Sequence, residues 1–154
     1  MSLQSAIIKI FQGGAVRRNT ISATAGNVAT NLTPAGGSFR SKRWKILRGT
    51  LTLTCDATVA NRFLTLTVTD GTNIVENLAY SALIIATQTY IMNLGEIRYN
   101  VGMIPGGGGG SLAQGYLGVQ GLYLEGSDQL RITVASGVAG DSYSGYLEVL
   151  ETVI

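Results

Sequence analysis

Apolar and polar residues alternate most cleanly between Trp44 and Thr69, in the run WKILRGTLTLTCDATVANRFLTLTVT. Leu51, Leu53 and Cys55 share one parity, with Thr50, Thr52 and Thr54 on the other. Leu64, Leu66 and Val68 alternate in the same way with Thr65, Thr67 and Thr69. A period of two, carried by apolar and β-branched residues, suits a pleated strand with one buried face. The run therefore predicts two strands joined by a short polar turn. Trp44 and Ile46 sit on even positions and the later apolar residues on odd ones, so the phase changes at Arg48-Gly49. A glycine at a phase change predicts a β-bulge. Asp70-Gly71, at the end of the second strand, is a hairpin signal.

The remaining chain follows the same logic less strictly. SAIIKIF (5–11) reads as a short strand or an arm, broken by Gly13-Gly14, and VRRNTISATA (16–25) is strand-like. Gly26-Asn27, Asn31, Pro34 and Gly36-Gly37 mark a long turn-rich stretch. Residues 1–40 are thus expected to form an extended N-terminal arm and loop that embraces a neighbour, and residues 41–154 the folded domain. YSALIIA (80–86) is too short for periodicity to separate helix from strand. TQTYIMNL (87–94) predicts a strand, Pro105 with glycines 106–110 a flexible loop, and residues 112–124 a glycine-interrupted strand. Leu130, Ile132 and Val134 alternate with Arg131 and Thr133; 137–141 turn the chain; 143–154 form the last strand. About eight strands spaced by turns predict an all-β fold, an antiparallel β-sandwich or jelly roll.

Composition narrows the chemistry more than it identifies it. At 154 residues the chain suits one domain with a real core. Only 13% of residues are charged, against 45% apolar. Either uncharged Thr, Ser, Asn and Gln cover the surface, or much of it is buried against other chains, as in a homo-oligomer or larger assembly. The absence of His removes the commonest general base and transition-metal ligand, so the many serines have no triad partner. A single Cys excludes an intrachain disulfide and a multi-Cys zinc site, and its phase with Leu51 and Leu53 makes Cys55 a small core hydrophobe. Asp70, Asp128 and Asp141 stand beside or one residue from glycines, where their carboxylates cap turns, and no Asp-rich loop offers a calcium site. The glycine run lacks the Lys-Ser/Thr of a phosphate loop. The reading is a non-enzymatic protein with no catalytic, cofactor-binding or metal-binding residue and no cofactor. No apolar run approaches a membrane span and the opening residues lack a secretory cleavage site, so no membrane partner and synthesis in a cytoplasm are expected.

Charge is unevenly spread. Residues 1–77 hold nine Lys/Arg against three Asp/Glu (+6), and residues 78–154 two against six (−4), for a net +2. Arg40, Lys42, Arg43, Lys45 and Arg48 concentrate the basic part. Three readings compete: a solvated loop and strand edge, a contact with an acidic protein partner, or nucleic acid. The last ranks lowest, because such modules carry more positive charge with interleaved aromatics. Tyr80, Tyr90, Tyr99, Tyr116, Tyr123, Tyr143 and Tyr146 could line a carbohydrate groove, or serve as ordinary strand and interface residues.

Two stretches resemble a known family. RWKILRGTLTLTCDATVANRFLTLTVTDG (43–71) and LEGSDQLRITVASGVAGDSYSGYLEVLE (124–151) are similar in order and spacing to small structural proteins of tailed bacteriophages. These share an aromatic-basic strand start, a D-A-T-V-x-N-R turn, a T-D-G turn and a closing G-D-S/T-Y-S-G segment. The resemblance implies a jelly-roll virion protein, a head decoration (cement) protein at the capsid surface. Its implied partners are the major capsid protein and further copies of itself, as a trimer, with Arg40, Lys42, Arg43, Lys45 and Arg48 as the candidate attachment segment. A tail or fibre component that binds host glycans and a head–tail adaptor are the alternatives.

Overall fold

Ten strands in two facing sheets realise this alternation in a computed structural model that describes residues 14–34, 42–80, 84–95, 112–118 and 122–154. In chain order they are β1 (Ala15–Ala25), β2 (Thr30–Leu32), β3 (Lys42–Thr54), β4 (Phe63–Thr69), β5 (Ile74–Tyr80), β6 (Thr89–Gly95), β7 (Leu112–Gly118), β8 (Tyr123–Glu125), β9 (Gln129–Ala135) and β10 (Ser142–Val153). The large sheet runs β1-β10-β3-β6-β7, with β8 also paired to β3; the small sheet runs β2-β9-β4-β5. Every pairing is antiparallel except β6 with β7. The fold is an all-β sandwich, as the alternation predicts, and no helix occurs among the described residues.

The thirteen-residue β3 is the axis of the large sheet. β10 pairs with it on one side, while β8 and β6 divide the other, at residues 43–45 and 49–54. The predicted bulge is present. Glu148 lies opposite Arg48 and Val149 opposite Ile46, which leaves Leu47 as the extra residue. That extra residue brings Trp44 and Ile46 onto the same buried face as Leu51 and Leu53 despite their opposite parity. Facing them across the core are Leu64, Leu66 and Val68 of β4 and Leu130, Ile132 and Val134 of β9, all buried. The β4–β5 hairpin turns where predicted: Asp70 Oδ1 accepts hydrogen bonds from the Thr72 and Asn73 amides at 2.8 and 2.6 Å, and Gly71 takes φ +94°.

The expected N-terminal arm of residues 1–40 requires correction. β1 is the edge strand of the large sheet, in register with β10 from Ala15↔Glu151 to Ala25↔Ser142, and β2 pairs with β9 in the small sheet. The sandwich therefore includes residues 15–25 and 30–32, ahead of residue 41. The strand itself was legible at 16–25, but an edge strand that buries little beyond Ile21 carries no apolar stripe to tie it to the core. Tyr80 ends β5 and Ile84 forms an isolated bridge with Arg62, while 81–83 fall outside the described residues. SAIIKIF and the glycine loop at 106–110 also lie outside them.

Candidate interaction surfaces

One end of the sandwich is closed by a buried ion cluster. Arg62, just ahead of β4 and bridged to Ile84, is in phase with Leu64, Leu66 and Val68, so its side chain points inward, and it is 0% exposed. Its Nε donates to Asp141 Oδ2 at 2.6 Å, Nη2 to Asp56 Oδ1 at 2.7 Å and Nη1 to the Ala60 carbonyl at 3.3 Å. Asp141 also accepts from the Asp56 and Val138 amides, each at 2.9 Å. The Gly26 amide donates to the Asp141 carbonyl at 2.9 Å, and the Tyr143 hydroxyl donates to Val28 O at 2.8 Å. The β1–β2 turn, the β3–β4 loop and the β9–β10 loop are thereby fastened at one point. A Cβ on Gly26 would stand 2.5 Å from that of Asp141, so the approach of turn to loop requires glycine.

The electrostatics of this cluster are those of a lock. Burial alone would raise the Asp141 carboxyl, but hydrogen bonds from Arg62, Val138 and Asp56 outweigh it and hold the group below its ordinary value. The Asp141 hydrogen bond keeps Arg62 firmly charged. Burial, with a smaller push from Asp141, raises the neighbouring Cys55 thiol to about 11, which suits a core side chain and not a nucleophile. Among the described residues no three Cys, Asp or Glu side chains are grouped to hold a metal. Arg62 was not singled out from the sequence. Its parity with three buried residues of β4 was the available signal, and both runs quoted for the family resemblance contain cluster members.

The basic segment is largely matched within the chain. Lys42 Nζ meets Glu151 at 3.1 Å, Arg48 Nε meets Glu148 at 2.5 Å and Arg43 pairs with Glu125. Arg17 and Arg18 of β1 approach the same two carboxylates of β10 at 3.6 and 3.3 Å. The hydrogen bond from Arg48 leads the effects that lower the Glu148 carboxyl. At Glu151 burial acts upward, and the Trp44 indole (3.0 Å), Lys42 and Arg17 outweigh it. The basic first half of the chain thus lies on strands that neighbour the acidic second half. Arg40 lies outside the described residues, and Lys45 has a partner of its own.

The four tyrosines whose side chains are described do not line one groove, and the side chains of Tyr80, Tyr99 and Tyr116 lie outside the described residues. Tyr90 and Tyr143 are core residues, Tyr146 lies under the Arg18 guanidinium at 4.0 Å and Tyr123 near that of Arg43 at 5.7 Å.

A groove lies elsewhere, on the outer face of the small sheet. Thr65 opposes Thr133, and Thr67 opposes Arg131, across β4 and β9. Ile74, Asn77 and Leu78 of β5 complete a groove of about 590 Å³. The Thr65 and Thr133 hydroxyls are hydrogen-bonded to each other at 2.5 Å. Arg131 makes no ion pair, side-chain hydrogen bond or ring contact among the described residues, unlike every other described Lys or Arg. No family model, curated protein or solved structure matches this chain, so these surfaces stand on their own geometry.

Proposed function

We propose that the chain is a non-enzymatic structural protein of a virus particle, a decoration protein that binds the major capsid protein on the outer head surface. The observation that carries this reading is the order of the strands. With β7 and β8 set aside as an insertion, eight strands remain. The first, eighth, third and sixth lie side by side in one sheet, and the second, seventh, fourth and fifth in the other. That order supports a jelly-roll reading of the sandwich, an architecture recurrent in viral capsid and lectin domains. It agrees with the fold implied by the resemblance to phage structural proteins. The low charge content suits a protein that works inside an assembly, and the role needs no reactive group: bound copies add buried interface and make the head harder to burst. Because Lys42, Arg43 and Arg48 already hold partners, the attachment surface is not assigned to their charge alone.

Immunogold electron microscopy of parent particles, with antibody to this chain, tests the proposal. Label spread over the head is the expected result; label confined to the tail would overturn it. A second reading, a tail or fibre module that binds glycans, is favoured by the hydroxyl- and amide-lined groove beside Arg131, because jelly rolls also recur among lectin domains. Tail label together with retention on host envelope saccharide would select that reading.

A further inference from the structure

The outer face of the small sheet carries a polar row that crosses all of its strands. Asn31 of β2 stands opposite Arg131 of β9, Arg131 opposite Thr67 of β4, and Thr67 opposite Asn77 of β5. The Thr65–Thr133 pair lies beside that row, its hydroxyls bonded to each other. Arg131, Thr67 and Asn77 line the groove together with this pair, and Ile74 and Leu78 add aliphatic surface from β5. Its volume of about 590 Å³ falls within the range of small-ligand sites. Thr67 is only 7% exposed, yet its hydroxyl makes no hydrogen bond among the described residues, and neither does the Asn77 amide side chain. A hydroxyl at that depth is ordinarily satisfied by protein, by water or by what fills the groove. The charge is one-sided as well. Glu76 is the one carboxylate in the four strands, and it stands opposite Val68, on the other side of the sheet from the groove. Arg131 is their one cation and has no partner among the described residues.

We propose that the groove binds a saccharide unit carrying a carboxylate: Arg131 pairs with the carboxylate, and Thr67 and Asn77 bond the ring hydroxyls. A guanidinium matches a carboxylate through two parallel N–H donors. The Thr67 hydroxyl and the Asn77 amide each donate and accept, as sugar hydroxyls do, so either can complete the other. Ile74 and Leu78 offer an aliphatic surface to the C–H face of a ring. A peptide strand suits the groove poorly. β4 is paired on both sides, by β9 and β5, so the floor has no free backbone N–H or C=O on which to add one. A nucleic-acid strand calls for several cations and stacking aromatics, and the described lining holds one cation and no aromatic ring. This assignment rests on the glycan-binding reading of the groove and adds the sign of the ligand's charge; it is compatible with a place on head or tail.

Nuclear magnetic resonance titration of the full, isotope-labelled chain at low salt tests it. The acidic probes are oligogalacturonate, hyaluronan fragments and N-acetylneuraminic acid; the controls are maltotriose, inorganic sulfate and an oligoglutamate peptide. Saturable binding of at least one acidic saccharide is expected, with the shifted amide resonances on β4, β5 and β9 and weaker binding as salt rises. The controls should bind about tenfold more weakly or less. Arg131→Gln should weaken the acidic saccharide about tenfold or more, and Thr67→Val about threefold or more. Arg131 is exposed and valine keeps the shape of threonine, so Trp44 emission and circular dichroism of both variants should match the wild type. No binding by any saccharide, acidic or neutral, would overturn this assignment and the glycan reading together. Maltotriose bound as tightly as the acidic probes would keep the glycan reading and overturn the assignment. Sulfate or oligoglutamate bound as tightly would overturn it by making the groove a general anion site or an acidic-peptide site. Acidic saccharide bound equally well by Arg131→Gln would overturn it too.

Discussion

Asp141 reaches Arg62 and two backbone amides through its carboxylate and the β1–β2 turn through its carbonyl, so one residue carries much of the order at its end of the sandwich. A buried guanidinium that loses its main counter-charge is left uncompensated, at a cost of about 3–5 kcal/mol. Asp141→Asn keeps the shape and removes the charge, so urea unfolding at neutral pH should show a loss near that range; a loss below about 1 kcal/mol would mean that Asp56 alone suffices. The pH dependence has a defined sign. Asp141's carboxyl is lower in the folded chain than its unfolded value of about 3.9, so its contribution is complete above that pH and is lost as pH falls through the lower folded value. Wild-type stability should therefore fall steeply below about pH 4, and the Asp141→Asn variant should show a shallower acid limb. Parallel limbs would place the acid sensitivity on Glu148 and Glu151, whose carboxyls are also lowered.

At the scale of elements, β3 shows what alternation can and cannot reveal. The strand, its buried face and its bulge were legible because β3 is central and half-buried, and β4 and β9 were legible for the same reason. The bulge lies at Leu47, two residues before the glycine that signalled it. Its purpose predicts the outcome of removing it. Deleting Leu47 lets Arg48 and Ile46 follow as ordinary neighbours opposite Glu148 and Val149, with Trp44 and Ile46 still facing the core. The variant should fold with a loss of about 1–2 kcal/mol, within the range of ordinary substitutions. Deleting Thr52 instead sends every core residue on one side of the gap to the wrong face. Trp44 is the only tryptophan, so its emission reports the result directly. Blue-shifted, cooperative unfolding without Leu47 and its loss without Thr52 are expected; loss in both would mean that the bulge's twist, and not its register, is what the sheet needs. β1 was legible as a strand over 16–25, but its place in the sandwich was not, because an edge strand needs no apolar stripe. Arg62 escaped because a charge on an inward parity reads as an exception until its two carboxylates, one of them distant in sequence, are placed beside it.

For the whole molecule, the split of charge along the sequence is an internal match between neighbouring strands. β1 and β3 bring Arg17, Arg18, Lys42 and Arg48 to both sides of β10, which carries Glu148 and Glu151. Each exposed pair contributes only about 0–1 kcal/mol, so the ladder serves strand order and solubility more than stability. What β1 and β2 add to stability lies in the core and the turn between them. Ile21 is buried, Gly26 donates to the Asp141 carbonyl, and Val28 and Thr30 hold the buried Tyr143 hydroxyl at 2.8 and 2.7 Å. A chain shortened to begin at Ser41 loses all of these together. It strips the outer edge of β10 and leaves the Tyr143 hydroxyl without its partners, at about 1–3 kcal/mol for such an unsatisfied group before any loss of burial. If residues 1–40 were an arm laid over a complete domain, the shortened chain would unfold cooperatively with nearly wild-type stability. The pairing of β1 and β2 predicts instead a chain without a cooperative transition, with red-shifted Trp44 emission and rapid tryptic cleavage after Arg48 and Arg62, sites that the intact sandwich keeps inside strand pairings.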